Sequence, residues 1–195
     1  MTTAPATSAG SSEFVERLIT AEEFFRMGEA VTMGMELVDG KLVGRNMPTG
    51  HRHGHIEAMI AAILIAFMHT AKLGRILSGE VGMFVRRNPD AIRAADIAFI
   101  SNERYAQVRS DSYLDVAPEL VVEVMSPADT WSEVKQKLRD YFAVNVVMVW
   151  IVDPVTESIT VYNADGGVRE YAAIDMLVAE TVLPGFAVRV AEIFE

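Results

Sequence analysis

A carboxylate stands in the middle of an apolar, strand-like run of this chain: Glu123 in Leu120-Val-Val-Glu-Val-Met125. A second acid, Asp96, interrupts the apolar run from Ile92 to Ile100, and Lys137 follows on a stretch with helix periodicity. Taking a carboxylate out of water costs several kcal/mol unless a cation or hydrogen-bond donors replace the lost solvent. The fold must therefore bring a compensating partner to these strands. Side chains alternate along a strand, so Val121, Glu123 and Met125 share one face while Val122 and Val124 share the other. Asp96 shares its face with Ala94 and Ala98, small residues that leave room for an ion and its waters. If the two strands are neighbours, both acids come within reach of one divalent cation. Magnesium is usually held by one or two carboxylates plus waters and substrate phosphate, so two acids suffice. Equally, Glu123 can pair with Lys137 or an arginine as a purely structural ion pair. The residues alone leave both readings open.

Composition decides the surroundings of such a site. With 195 residues and 51% hydrophobic content, the chain has enough apolar material for one full core. Its formal net charge of −10 argues against a broad basic face for a phosphate backbone, although a local cluster is compatible with it. The absence of cysteine excludes disulfides, thiolate metal sites and a cysteine nucleophile, and fits a reducing cytoplasm. The apolar stretch Ala58 to Met68 falls short of the roughly 20 residues of a spanning helix, and no basic segment followed by an apolar one opens the chain. The sequence reads as a soluble, cytoplasmic protein with no membrane partner.

Along the chain, residues 1–12 are small and polar and read as a disordered tail, leaving 13–195 as a single domain. Thr20-Ala-Glu-Glu23 has the capping-box pattern of a helix start, and the helix ends near Gly28. Met35 to Val43 reads as two strands around the tight turn Asp39-Gly40. After the break at Pro48-Thr49-Gly50, the spacing predicts a long buried helix from His55 to about Lys72. Strands are predicted at Glu80–Arg86, Ala94–Ile100 and Pro118–Met125, followed by a helix over Asp129–Ala143 with Ser126 or Asp129 as its cap. Asn145 takes the left-handed position after that helix. Strands at Val146–Val152 and Ser158–Asn163 and a last apolar segment at Phe186–Ile193 complete the predicted sheet.

Other candidates carry less. His51, His53 and His55 would not gather on one face of a helix starting at His55, so exposure or capping is expected of them rather than metal binding. Arg86, Arg87, Arg93 and Arg104 form either a local phosphate-contact patch or a solvated rim. Trp131 and Tyr141 are open equally to a functional role and to packing. Neither a Gly-rich phosphate loop nor a Gly-x-Ser-x-Gly elbow occurs.

Several segments, taken together and in order, resemble the Uma2 family (DUF820). They are Glu36-Leu-Val-Asp-Gly-Lys-Leu-Val43, His53-Gly-His-Ile56, Asp96-Ile-Ala-Phe-Ile100, Pro118-Glu-Leu-Val-Val-Glu-Val-Met-Ser-Pro127, Lys137 with Tyr141, Val149-Trp-Ile-Val-Asp-Pro154 and Leu183-Pro-Gly-Phe186. The resemblance covers about residues 20 to 195 and implies the PD-(D/E)XK superfamily. Its fold is an α/β (α+β) restriction-endonuclease-like core, a mixed central β-sheet flanked by helices. The implied activity is Mg2+-dependent endonuclease cleavage of DNA, with Mn2+ as a substitute ion; the alternative is a catalytically silent binding or regulatory protein on the same fold. Carried over position by position, Asp96 and Glu123 become metal ligands and Glu36 a further one, while His53 binds phosphate or donates a proton. Met125 occupies the usual lysine position, and the resemblance transfers that role to Lys137 on the following helix. Ala95 stands where many members have proline, and Asn145 where they have glycine. Contacts with DNA are expected to be local, and a homodimer is the expected assembly.

Overall fold

The computed structural model describes residues 17–32, 34–44 and 50–195. The expected tail at residues 1–12 lies outside the described residues, as do Pro48 and Thr49. Helix α1 (Ala21–Arg26) starts at the predicted capping box, in which Thr20 and Glu23 each accept the other's backbone N–H. A short α2 (Glu29–Thr32) follows. Strands β1 (Met35–Val38) and β2 (Lys41–Gly44) form the predicted hairpin, turning on Asp39 and Gly40 at φ 54° and 73°.

Helix α3 (His51–Ala71) starts four residues before the predicted His55, with Gly50 as N-cap. Gly54, a poor helix former, conceals this first turn in the sequence. Ile56, Ile60, Leu64 and Met68, four residues apart, bury one face of the helix against the sheet. By length and composition alone α3 is also apolar enough to cross a bilayer, which the shorter count from Ala58 to Met68 missed.

Strand β3 (Gly74–Arg86) runs antiparallel along nearly all of β4 (Ala91–Ser101) and is longer than the predicted Glu80–Arg86, because Gly74 to Ser78 pair with the far end of β4. After α4 (Asn102–Tyr105) come β5 (Leu120–Val124), α5 (Trp131–Ala143) and β6 (Met148–Asp153), with β5 and β6 parallel and joined through α5. Thr130 caps α5 through a capping box with Glu133, correcting Ser126 and Asp129, which instead bond each other in the preceding turn. Asn145 has φ 72°, the left-handed conformation expected of it. Strands β7 (Ser158–Asn163) and β8 (Val168–Tyr171) extend the sheet antiparallel. The final apolar segment does not join it: β10 (Ala187–Arg189) pairs with β9 (Met176–Val178) in a separate two-stranded sheet, followed by α6 (Ala191–Phe194).

The result is a mixed eight-stranded sheet flanked by helices, the α/β (α+β) architecture anticipated. Alternation on the central strands divides the core. Val122, Val124, Trp150 and Val152 pack towards α3, whereas Val121, Val149 and Ile151 pack towards Val134, Leu138 and Tyr141 of α5. On β4 the alternation breaks: Ala95 packs on the α5 side and Ile97, two residues on, packs on the α3 side. Asp96 sits at this break, opposite the irregularity in β3 between Ser78 and Val81, so the regular face shared with Ala94 and Ala98 does not persist.

Two glycines test this packing. A Cβ on Gly74 would stand 2.1 Å from the Ile100 carbonyl oxygen. Gly74→Ala should therefore lower stability by about 1–3 kcal/mol through forced backbone movement. On Gly54 a Cβ meets nothing within 4 Å, and Gly54→Ala should raise stability by about 0.5–1 kcal/mol. Denaturant titration of the two variants beside the parent distinguishes these signs.

Candidate active site

Strand β4 is a fork. Its residues Ile97 to Phe99 pair with β5, while Ile92 pairs with Leu37 of β1 on the same edge. Between the two pairings the edge of β4 has no strand beside it, and side chains take over the backbone groups. The Glu36 carboxylate accepts the Ala94 N–H at 3.2 Å, and Asp96 accepts the Val124 N–H at 2.7 Å. One register step beyond the Ile97–Val122 pair, Asp96 stands across from Glu123. The fork thus places two acids of distant sequence side by side.

Helix α5 supplies the compensation. Lys137 donates to Glu123 at 2.7 Å and lies 3.6 Å from Glu36, and the Tyr141 hydroxyl donates to the other Glu123 oxygen. Four residues separate Lys137 and Tyr141, which puts them on one helix face. Arg93 closes the far end, bonding Glu36 at 2.7 Å and Asp140 at 2.6 Å. At the near end, His53 in the first turn of α3 brings Nε2 within 3.4 Å of Asp96, and its buried Nδ1 has no partner among the described residues.

The five predicted site residues are thus brought into one connected cluster. Their roles within it differ. Glu36 accepts from Arg93 and the Ala94 N–H on its two oxygens, with Lys137 3.6 Å away, and Glu123 likewise accepts from Lys137 and Tyr141 on its two. His53 is half-buried against Asp96, which corrects the expectation of an exposed or capping histidine. Sequence reasoning missed Asp140 and Glu57, although Asp140 follows Lys137 at helical spacing and Glu57 follows His53 by one turn, and it left Tyr141 open between packing and a role in the site. The arginine patch is not formed. Arg93 is buried in the cluster, Arg104 bonds the carbonyls of Ala117, Pro118 and Asn145, Arg86 pairs with Asp39, and Arg87 pairs with Glu22 and stacks on Phe84.

Electrostatics follow from this wiring. Burial pushes the Glu123 carboxyl up, and nearby Asp96 adds to it against the pull of Lys137, leaving it at about 7. Burial also raises Glu36, but Lys137 and Arg93 outweigh it and hold that carboxyl below the usual range. Contact with Asp96 raises His53 despite its burial. Glu57 is raised by burial and by Asp96. Ordered from one end, Asp140, Arg93, Glu36, Lys137 and Glu123 alternate in sign; the step from Glu123 to Asp96 joins like charges.

Hard oxygen donors suit magnesium or manganese, and Asp96 Oδ1 accepts no hydrogen bond among the described residues. No three His, Asp or Glu side chains among those residues converge as a ready ligand set. A cation here would rest on Asp96 and Glu123 with water completing its shell. Beside them, a cleft of about 10 Å3 lined by Glu123, Lys137, Asp129 and Glu133 has room for about one water.

Comparison with known proteins agrees with this architecture. No curated protein matches the chain. A crystal structure from Anabaena variabilis, described as "a putative nuclease belonging to DUF820", superposes with a TM-score of 0.73 at 18% identity, covering 90% of this chain and 97% of that one. The family model of Uma2, described as "Putative restriction endonuclease", matches residues 21–191. The chain belongs to the Uma2 family.

Proposed function

We propose that this protein is a metal-dependent endonuclease that hydrolyses phosphodiester bonds in DNA, with Asp96 and Glu123 as ligands of Mg2+ and Mn2+ as a substitute. One observation carries the reading: the charge alternation of the cluster fails only between Asp96 and Glu123, where four carboxylates in all face two obligate cations. A divalent cation corrects that deficit; a purely structural network would close on itself. When bound, the ion supplies Lewis-acid stabilisation of charge on the phosphate and a more acidic water. The chain's own residues do the rest. Lys137 holds Glu123 in orientation and presents its ammonium to the cleft, where a water can be positioned. Tyr141 fixes the second Glu123 oxygen, and the pair Arg93–Glu36 holds Lys137 from behind. His53 stands on the other side of Asp96, within reach of a phosphate oxygen or a departing one.

A second reading keeps the fold without the chemistry. It draws on the same direct Lys137–Glu123 bond, which satisfies both partners from protein alone. On that reading the protein gives no metal-dependent heat in calorimetry and cleaves nothing.

Replacing Glu123 by Gln removes the charge and leaves one carbonyl oxygen, so one of the two donors, Lys137 or Tyr141, loses its acceptor. Cleavage of plasmid DNA with Mg2+ should fall about a hundredfold or more, measured at a temperature where circular dichroism shows the variant folded, since the lost charge also lowers stability; a Glu123→Gln protein as active as the parent would sink the assignment. Metal binding should also be linked to protons. Because Glu123 is held at about 7, it carries a proton below that pH, and the proton must leave for the carboxylate to bind an ion. Affinity for Mn2+ should therefore rise as pH increases from 6 towards 8, about tenfold per unit below 7, with protons released. Calorimetry in two buffers of different ionisation enthalpy reads both quantities, and a pH-independent affinity is the contrary result.

A further inference from the structure

Helix α5 covers β5 and β6 but stops short of β7 and β8, so the sheet face beside its first turn is open. That face forms a shelf of about 420 Å3, within the range of small-molecule sites. The shelf is continuous with the acidic site, since Met125 and Ile151 line both the shelf and the cleft beside Glu123 and Lys137. Register places Ser158 opposite Asp153 and Thr160 opposite Ile151, so hydroxyls pave the floor. Trp131, the first residue of α5, stands at its edge with 53% of its surface exposed, whereas the other tryptophan, Trp150, is fully buried. The capping box formed by Thr130 and Glu133 fixes the backbone on either side of Trp131 without needing the indole.

Aromatic faces that are exposed yet held on a rigid element are suited to stacking flat ligands. Among the described residues no lysine or arginine lines the shelf, and two acids, Asp153 and Glu170, do. This chemistry rejects a phosphate backbone and accepts a neutral ring that offers N–H groups, as an unpaired nucleobase does. We infer that the shelf holds an unpaired base of the substrate strand, stacked on Trp131, next to the phosphate at the Asp96–Glu123 site. The inference rests on the nuclease reading and narrows it: the preferred substrate is single-stranded or locally opened DNA.

Tryptophan emission tests it without cleavage. In EDTA, the full-length protein is titrated with a single-stranded 12-mer, the same length of abasic strand, and the 12-mer as a duplex. The single strand should quench the exposed emission of Trp131, the abasic strand should leave it unchanged, and the duplex should bind more weakly. Trp131→Ala should weaken single-strand binding about tenfold, and Trp131→Phe should keep most of it. Equal affinity of Trp131→Ala and the parent, or equal quenching by the abasic strand, overturns the shelf while leaving the nuclease reading intact if DNA is still cut. Should neither DNA form bind in EDTA, the shelf falls, and cleavage of DNA with Mg2+ decides the nuclease reading separately. If Trp131 is already shielded from iodide and sedimentation shows a dimer, the shelf is a contact between copies of the chain and the base-binding proposal is wrong.

Discussion

The burial of Glu123 in the centre of β5 is the constraint from which the rest of the site follows. With 8% of its surface exposed, that carboxylate needs donors from the layer above the sheet, and α5 supplies them. Lys137 and Tyr141 meet the need together because they lie one turn apart on one face. This fixes the rotation of α5 and its height over β5 and β6, and it fixes the apolar contacts of Val134 and Leu138 as well. Once Lys137 is buried it needs a second anion, and Glu36 reaches it from the β1–β2 hairpin. Removing one partner from such a pair leaves the other buried and uncompensated, typically at about 3–5 kcal/mol. The hairpin, the sheet and the helix are therefore joined through charges as much as through apolar contact.

What gives that network a functional edge is the fork in β4. A strand paired continuously along one edge has no amides to lend to side chains. Here the partner changes from β5 to β1, and the gap between them leaves the Ala94 and Val124 amides for Glu36 and Asp96. Those amides hold the carboxylates in place, the kind of preorganisation that the proposed cation site would draw on. The raised affinities of Glu123 and His53 for protons come from the same geometry: protons collect where the negative charge is in excess.

Much of this was legible in the sequence because buried charges are conspicuous in apolar runs. Glu123, Asp96 and Lys137 stand out by composition alone, and the alternation of β5 correctly assigned Val121 and Val122 to opposite layers. The fold class followed from the order of segments. What escaped the sequence depended on tertiary pairing. The break in alternation at Asp96 comes from the fork, which has no local signature, and from the irregularity in β3, where Gly79 and Glu80 take φ 87° and 60°. Arg93 reads as a surface cation until Glu36 and Asp140 arrive from segments 57 and 47 residues away. The early start of α3 was hidden by Gly54, and with it the position of His53 beside Asp96.

The acidic character of the chain then acquires a different meaning. The four arginines that suggested a phosphate patch are tied to carboxylates and carbonyls, so attraction of DNA by bulk charge is weak. A divalent ion held by Asp96 and Glu123 would be the principal local positive charge presented to a phosphate, with His53 beside Asp96 and Lys137 bonded to Glu123. On the proposed function, affinity for the backbone would then be concentrated at the scissile phosphate rather than spread along the strand. Additional hold on the substrate must come from groups that do not depend on charge. Stacking and hydroxyl contacts on the shelf beside Trp131 are of that kind, and they operate only on a base that is not already paired.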